Sequence, residues 1–189
     1  MKDLTLQIDI KIYDYNELSD ADRQLMDAAR EATQRSYAPY SHFSVGAAAR
    51  LANGTVVTGT NQENAAYPSG LCAERTTLFY ANSQYPDQAV ETLAIAARNE
   101  RDFLDDPIPP CGACRQVMLE TEKRFKQPMR ILLFGKKGIY EMKSLLWNNT
   151  SKTYFPIHLL TILRNSSGET GLVKKSLQPT LSANALSSS

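Results

Sequence analysis

Between residues 20 and 146 the hydrophobic period switches repeatedly between that of a helix and that of a strand, and a chain patterned this way folds as helices layered on a sheet. Ser19 with Asp22 three residues on supplies a capping start. Leu25, Met26, Ala29 and Ala32 then recur at helical spacing, which predicts a helix over 20–37. Phe43, Val45, Ala47 and Ala49 alternate at period two toward Asn53-Gly54, with Val56 and Val57 beyond, the signature of a β-hairpin. A polar stretch holding Pro68 and Gly70 feeds a second helix over 72–84, followed by a strand over 89–97 and a loop over 98–110. A third helix over 111–125, a strand over 130–134, a turn at Lys136-Lys137-Gly138 and a strand over 139–146 complete the pattern. The order implies an α/β protein with a mixed sheet covered by helices.

At 189 residues, with 42% hydrophobic and 22% charged side chains, the chain suits one buried core and argues against wholesale disorder. Twenty-one Lys and Arg against 20 Asp and Glu leave a net charge of +1, without the basic excess that phosphate neutralisation demands, so nucleic acid is not an expected partner. No apolar run approaches the ~18 residues of a membrane span, and residues 1–10 alternate polar with apolar, unlike a signal-peptide core. The expectation is a soluble, unexported protein. From residue 164 onward Ser, Asn, Gly and Thr dominate, a composition that cannot offset the entropy of ordering it. We therefore expect a domain over 1–163 and a flexible tail over 164–189, with 157–163 apolar enough to form a last packed turn.

Three cysteines cannot all pair within one chain, which disfavours a disulfide framework and favours a reducing compartment. Cys111-Gly112-Ala113-Cys114 follows Pro109-Pro110, placing two thiols around the first turn of a helix, and Cys72 stands at another helix start. Backbone N–H groups at a helix start favour the thiolate that soft metals require. If the two starts lie side by side, three thiols converge on one metal with a fourth position left over. Taken singly, a C-x2-C pair equally fits a redox dithiol, and a lone Cys72 equally fits a small buried hydrophobe. Spacing alone also allows a closed structural site, in which His42 or His158 is the fourth ligand.

Cys72-Ala73-Glu74-Arg75 and Pro110-Cys111-Gly112-Ala113-Cys114 together resemble the zinc-dependent cytidine deaminase family, whose pattern is a His or Cys with Glu two residues later, then Pro-Cys-x-x-Cys. The resemblance extends through Tyr40-Ser41-His42-Phe43-Ser44-Val45-Gly46-Ala47-Ala48 and Asn61-Gln62-Glu63-Asn64-Ala65-Ala66-Tyr67, and is to the small, three-cysteine, homotetrameric type. It implies a three-layer cytidine deaminase-like fold, with a mixed sheet of about five strands between helices. It further implies Zn²⁺ on Cys72, Cys111 and Cys114, a cytoplasmic location, and hydrolysis of cytidine and 2′-deoxycytidine to uridine and 2′-deoxyuridine with release of ammonia.

Cytosine C4 is a poor electrophile, so this hydrolysis needs an activated water and a group that moves protons to the ring and to the leaving amine. The resemblance gives both proton transfers to Glu74, which by itself would read as a first-turn glutamate stabilising its helix. Three thiolates on Zn²⁺ carry one net negative charge, and Arg75 is the residue the resemblance sets against that excess, with Arg115 less directly placed. The resemblance also implies that Phe43 stacks on the pyrimidine, Asn61 and Glu63 meet the ribose hydroxyls, the Ala73 backbone meets the base, and Tyr67 reaches a neighbouring subunit's site. On pattern alone Phe43 would be core, and Asn61 and Glu63 turn residues. Two rivals stand beside this reading: deamination of a cytosine nucleoside antibiotic such as blasticidin S, and a non-catalytic binding protein stapled by zinc.

Overall fold

The computed structural model describes residues 10–143 of the chain. Its order is β1 (Ile10–Tyr13), α1 (Asp20–Ala32), β2 (Ser44–Leu51), β3 (Val56–Thr60), α2 (Ala73–Gln84), β4 (Val90–Arg98), α3 (Gly112–Phe125), β5 (Arg130–Gly135) and β6 (Gly138–Lys143). One six-stranded sheet runs β1-β6-β5-β4-β2-β3, antiparallel except for the β4–β5 pair, which α3 connects as a crossover. The mixed α/β sheet is as expected. Among the described residues the sheet has six strands where about five are expected, the additional one being β1, a four-residue edge strand paired with β6.

α1 is capped by Ser19, whose hydroxyl accepts from the Asp22 N–H, and it buries Leu25, Met26, Ala29 and Ala32. Full burial of Leu25 and Met26 contributes about 1.5–3 kcal/mol each. The helix stops at Ala32 and tightens into a 3-10 turn over Thr33–Arg35, short of the predicted end at 37. Gly54, at φ +83°, makes the tight turn between β2 and β3.

The alanine-rich strand β2 is thin enough for helices to approach on both faces. A Cβ on Gly46 would run into the backbone of Ala29 on α1, whereas Gly59, the register partner of Ala47, faces Thr77 on α2. Neighbouring strand residues point to opposite faces, so α1 covers one side and α2 the other. α3 lies beside α2, with Asn82 Nδ2 donating to Thr121 Oγ1 at 3.3 Å. Between α1 and the sheet, Leu25, Met26 and Ala29 pack with Ala48, Ala94, Ala96, Leu132 and Ile139. The expected boundary near residue 163, the tail over 164–189 and the last residues of the predicted strand over 139–146 fall outside the described residues.

Candidate metal centre

Cys72 is the N-cap of α2 and Cys111 the N-cap of α3, with Cys114 in the first turn of α3. Two adjacent helix starts therefore bring the three thiols together, and the Sγ atoms all lie within 4.8 Å of one another. Cys72 Sγ is 3.8 Å from Cys111 Sγ, which is 3.4 Å from Cys114 Sγ. Two sulfurs on one tetrahedral zinc, each bonded at about 2.3 Å, stand about 3.8 Å apart, so the donor set fits zinc in both chemistry and spacing. Cys114 is buried, Cys72 partly buried and Cys111 exposed, which leaves one side of the trio facing outward.

The chain reaches Cys111 along a supported path. Leu104 N–H donates to Ala97 O at 3.3 Å, and the backbone N–H groups of Lys136 and Lys137 donate to Leu104 O and Asp105 O at 3.0 and 3.1 Å. This lays the loop between β4 and α3 across Gly135, whose missing Cβ would stand 2.7 Å from Asp105 O. Pro109 and Pro110 then hold the approach extended. Cys72 is reached through Leu71, which exchanges two main-chain hydrogen bonds with Gln62, each 2.9 Å.

The electrostatics of the trio are shared. Hydrogen bonds from Cys114, then from Arg75 and Cys111, together with the Arg75 charge, outweigh burial and bring the Cys72 thiol down to about 5. The same bond to Cys72, with burial and the nearby Glu74 charge, pushes Cys114 up. Cys72 thus ionises first and its charge retains the Cys114 proton. A metal cation entering the trio releases the remaining protons. Arg75 Nη2 donates to Cys72 Sγ at 3.6 Å. Glu74, one helical position inside α2 from Ala73, is 5% exposed. Burial raises its pKa, against a hydrogen bond from its own N–H, and the Cys72 charge adds to the rise. A carboxyl raised in this way holds a proton more readily than an exposed one, which suits a group that must both accept and donate.

The 61–63 segment joins several of the other predicted residues to the chain that leads into Cys72. Asn61 and Glu63 flank Gln62, the partner of Leu71, and hold the segment that carries Phe43. Phe43 is half-buried, immediately before β2, and Ala73 opens α2. Tyr67 is 91% exposed. His42 is not a ligand: its Nδ1 pairs with Glu100 Oε1 at 3.2 Å, and among the described residues the trio gathers no fourth His, Asp or Glu. That removes His42 from the staple reading, while His158 lies outside the described residues. Ser41 and the main chain of Gln62, both within the sequence motifs but given no role there, also support the site, as does Gly135, which lies outside them. Nothing in their residue types distinguishes them from ordinary turn positions.

Three thiols at two helix starts, with a buried acid alongside, define a metal-binding α/β protein. Residues 19–126 match the model of the cytidine and deoxycytidylate deaminase zinc-binding region. The chain belongs to that family. It is 48% identical over 100 residues to a cytidine deaminase of Halalkalibacterium halodurans, covering 52% of this chain and 71% of the relative. It is 42% identical over 97 residues to a cytidine deaminase of Sporosarcina psychrophila, covering 51% of this chain and 67% of that one. Among solved structures, the cytidine deaminase of Burkholderia pseudomallei superposes with a TM-score of 0.55 at 37% identity, covering 64% of this chain and 91% of that chain.

Proposed function

We propose that this chain hydrolyses the 4-amino group of cytidine and 2′-deoxycytidine, releasing ammonia and uridine or 2′-deoxyuridine, with Zn²⁺ held by Cys72, Cys111 and Cys114. The observation that carries the reading is the convergence of three thiols beside a buried glutamate of raised pKa. The family match and the similarity to proteins named cytidine deaminase support the choice of substrate.

When bound, zinc supplies the Lewis acidity that makes water nucleophilic at neutral pH. Glu74 accepts the proton lost by the attacking water and places it on ring N3, which makes C4 electrophilic. It then takes a second proton, from the hydroxyl now on C4, and passes it to the 4-amino nitrogen, so that the C4–N bond breaks, the C4 carbonyl forms and ammonia leaves. Arg75 donates to Cys72 Sγ and draws charge from the thiolate set. Phe43 stacks on the pyrimidine, the Ala73 backbone meets the base, and Asn61 and Glu63 face the ribose. The exposure of Tyr67 suits a residue that completes a neighbouring subunit's site in a homotetramer. Three free thiols suit the reducing cytoplasm.

Zinc content and ammonia release, measured on the wild type and on Glu74→Gln, test the proposal. One zinc per chain in both, with ammonia released from cytidine only by the wild type, is the expected result. Full activity without Glu74, or wild-type ammonia release from blasticidin S but not from cytidine, overturns it.

A further inference from the structure

Phe43 lies just outside the sheet ladders: β2 begins at Ser44, and its pairing with β3 ends at Gly46↔Thr60. Its backbone is instead held by side chains. Asn61 Nδ2 donates to Phe43 O at 2.8 Å, while Asn61 Oδ1 accepts from Val45 N–H at 2.8 Å, so one amide spans both sides of Ser44 as a strand's backbone would. On the other side, Phe43 N–H donates to Ser41 Oγ at 3.1 Å, and that hydroxyl donates in turn to the Glu63 carboxylate. Glu63 also accepts from the N–H groups of Tyr40 and Ser41 at 2.9 and 3.2 Å. Both ends of the Phe43 backbone therefore lead to Asn61 and Glu63.

The arrangement holds a conformation that the chain does not favour by itself. His42, next to Phe43, sits at φ +53°, in the left-handed region that side-chain-bearing residues avoid unless their surroundings fix them. The carboxylate of Glu63 gives the clamp charge-assisted strength. Between the two clamping residues, Gln62 bonds Leu71, the neighbour of Cys72. One short segment thus ties the Phe43 backbone to the N-cap cysteine of α2.

We infer that Asn61 and Glu63 are positioning residues that set the aim of Phe43 relative to the Cys72 end of the metal centre, apart from any contact of their own with the sugar. This rests on the deaminase reading, in which Phe43 meets the base.

The kinetics of wild type, Asn61→Ala, Phe43→Leu and the double variant are measured with cytidine and with 2′,3′-dideoxycytidine, which lacks both ribose hydroxyls. Asn61→Ala should raise KM about tenfold on dideoxycytidine and by at least as much on cytidine, where any lost ribose contact adds, and the dideoxycytidine penalty should fall below about twofold in the Phe43→Leu background. A penalty that disappears with dideoxycytidine, or that adds in full to Phe43→Leu, overturns the inference. Amide hydrogen exchange over residues 40–45 reads the clamp without catalysis, and Asn61→Ala or Glu63→Ala should speed it about tenfold. If Asn61→Ala does not fold, Ser41→Ala cuts the link from Glu63 to the Phe43 N–H and should reproduce the faster exchange with about a threefold rise in KM. Unchanged exchange in the folded variants overturns the clamp. Absence of ammonia release by the zinc-loaded wild type overturns the deaminase reading alone, since the exchange measurement still decides the clamp.

Discussion

Gly59 on β3 lies directly against Thr77 on α2: a Cβ on Gly59 would stand 2.5 Å from Thr77 Oγ1 and 2.7 Å from its backbone nitrogen. Thr77 Oγ1 itself bonds back to Ala73 O at 2.8 Å, within the turn that carries Glu74. The distance of α2 from the sheet, and with it the position of Cys72 and Glu74, therefore depends on a missing methyl.

Gly59→Ala should lower stability by about 1–3 kcal/mol through overpacking and should also weaken zinc retention, because the helix that must move starts at Cys72. Gly46→Ala forces α1 outward instead, and α1 carries no part of the metal centre. Denaturation midpoints should fall for both, while zinc retained against a chelator should fall for Gly59→Ala. Equal retention in the two variants would contradict this coupling.

Asp22, 6% exposed in the first turn of α1, accepts from Arg130 through both carboxylate oxygens, at 3.3 and 3.1 Å, and from Arg50 at 3.0 Å. Burial opposes its charge, but the bonds from Arg130, Ser19 and Arg50 prevail and hold its carboxyl below the usual range. The folded value is lower than the unfolded one. The stabilisation is therefore complete above the unfolded value, near about pH 4, and is lost as pH falls through the folded one. Asp22→Asn should cost about 3 kcal/mol at pH 7, the low end for severing a buried ion pair, since Arg130 is partly exposed. Urea midpoints measured from pH 7 down to about pH 2 should converge for the two proteins. A gap independent of pH rules out the ionic origin.

Gly135 is where the loop bearing Pro109 and Pro110 crosses the end of β5. A Cβ there would also press Pro107 Cδ at 2.8 Å. Gly135→Ala should displace the approach to Cys111 and lower zinc affinity by about tenfold or more, as disturbed support of a ligand does. The nearby ion pairs from Lys136 to Asp102 and Asp105 are exposed and screened by solvent, so Lys136→Ala should leave stability and zinc affinity nearly unchanged. Competition with a chromogenic chelator separates the two, and normal affinity in Gly135→Ala counts against the role of the crossing.

Arg75→Ala should retain zinc and lose about 10- to 100-fold in turnover, the usual effect of removing a group that tunes a metal ligand. Arg75→Lys, which keeps the charge without the planar fork, should recover part of the loss. Undiminished turnover by zinc-loaded Arg75→Ala at neutral pH removes Arg75 from the proposed machinery.

Most of the elements were legible because their cues are local. The Ser19 cap, the Leu25-Met26-Ala29-Ala32 stripe, the Asn53-Gly54 turn and the two cysteine-led helix starts all express themselves within a few residues. β1 has a cue in the chain too, since Leu4, Leu6, Ile8, Ile10 and Ile12 alternate with polar residues at the period of a strand, but its place at the sheet edge comes only from pairing with β6. The end of α1 was overrun for a related reason. The 3-10 turn after Ala32 forms where Thr33 Oγ1 bonds Arg30 O at 2.6 Å and the chain turns toward β2, and neither event alters the hydrophobic period.

Residue types and spacing alone determined which side chains are able to bind a metal and which helices present them, because thiols at helix starts and turn-forming pairs act over short range. The tertiary structure decided that Cys72 stands 3.8 Å from Cys111 across 39 residues, that His42 turns to Glu100 and away from the thiols, and that Asn61 and Glu63 grip the backbone around Phe43. Those relationships depend on which strands pair and on how closely helices settle onto glycine, and long-range packing of that kind leaves no periodic trace along the chain.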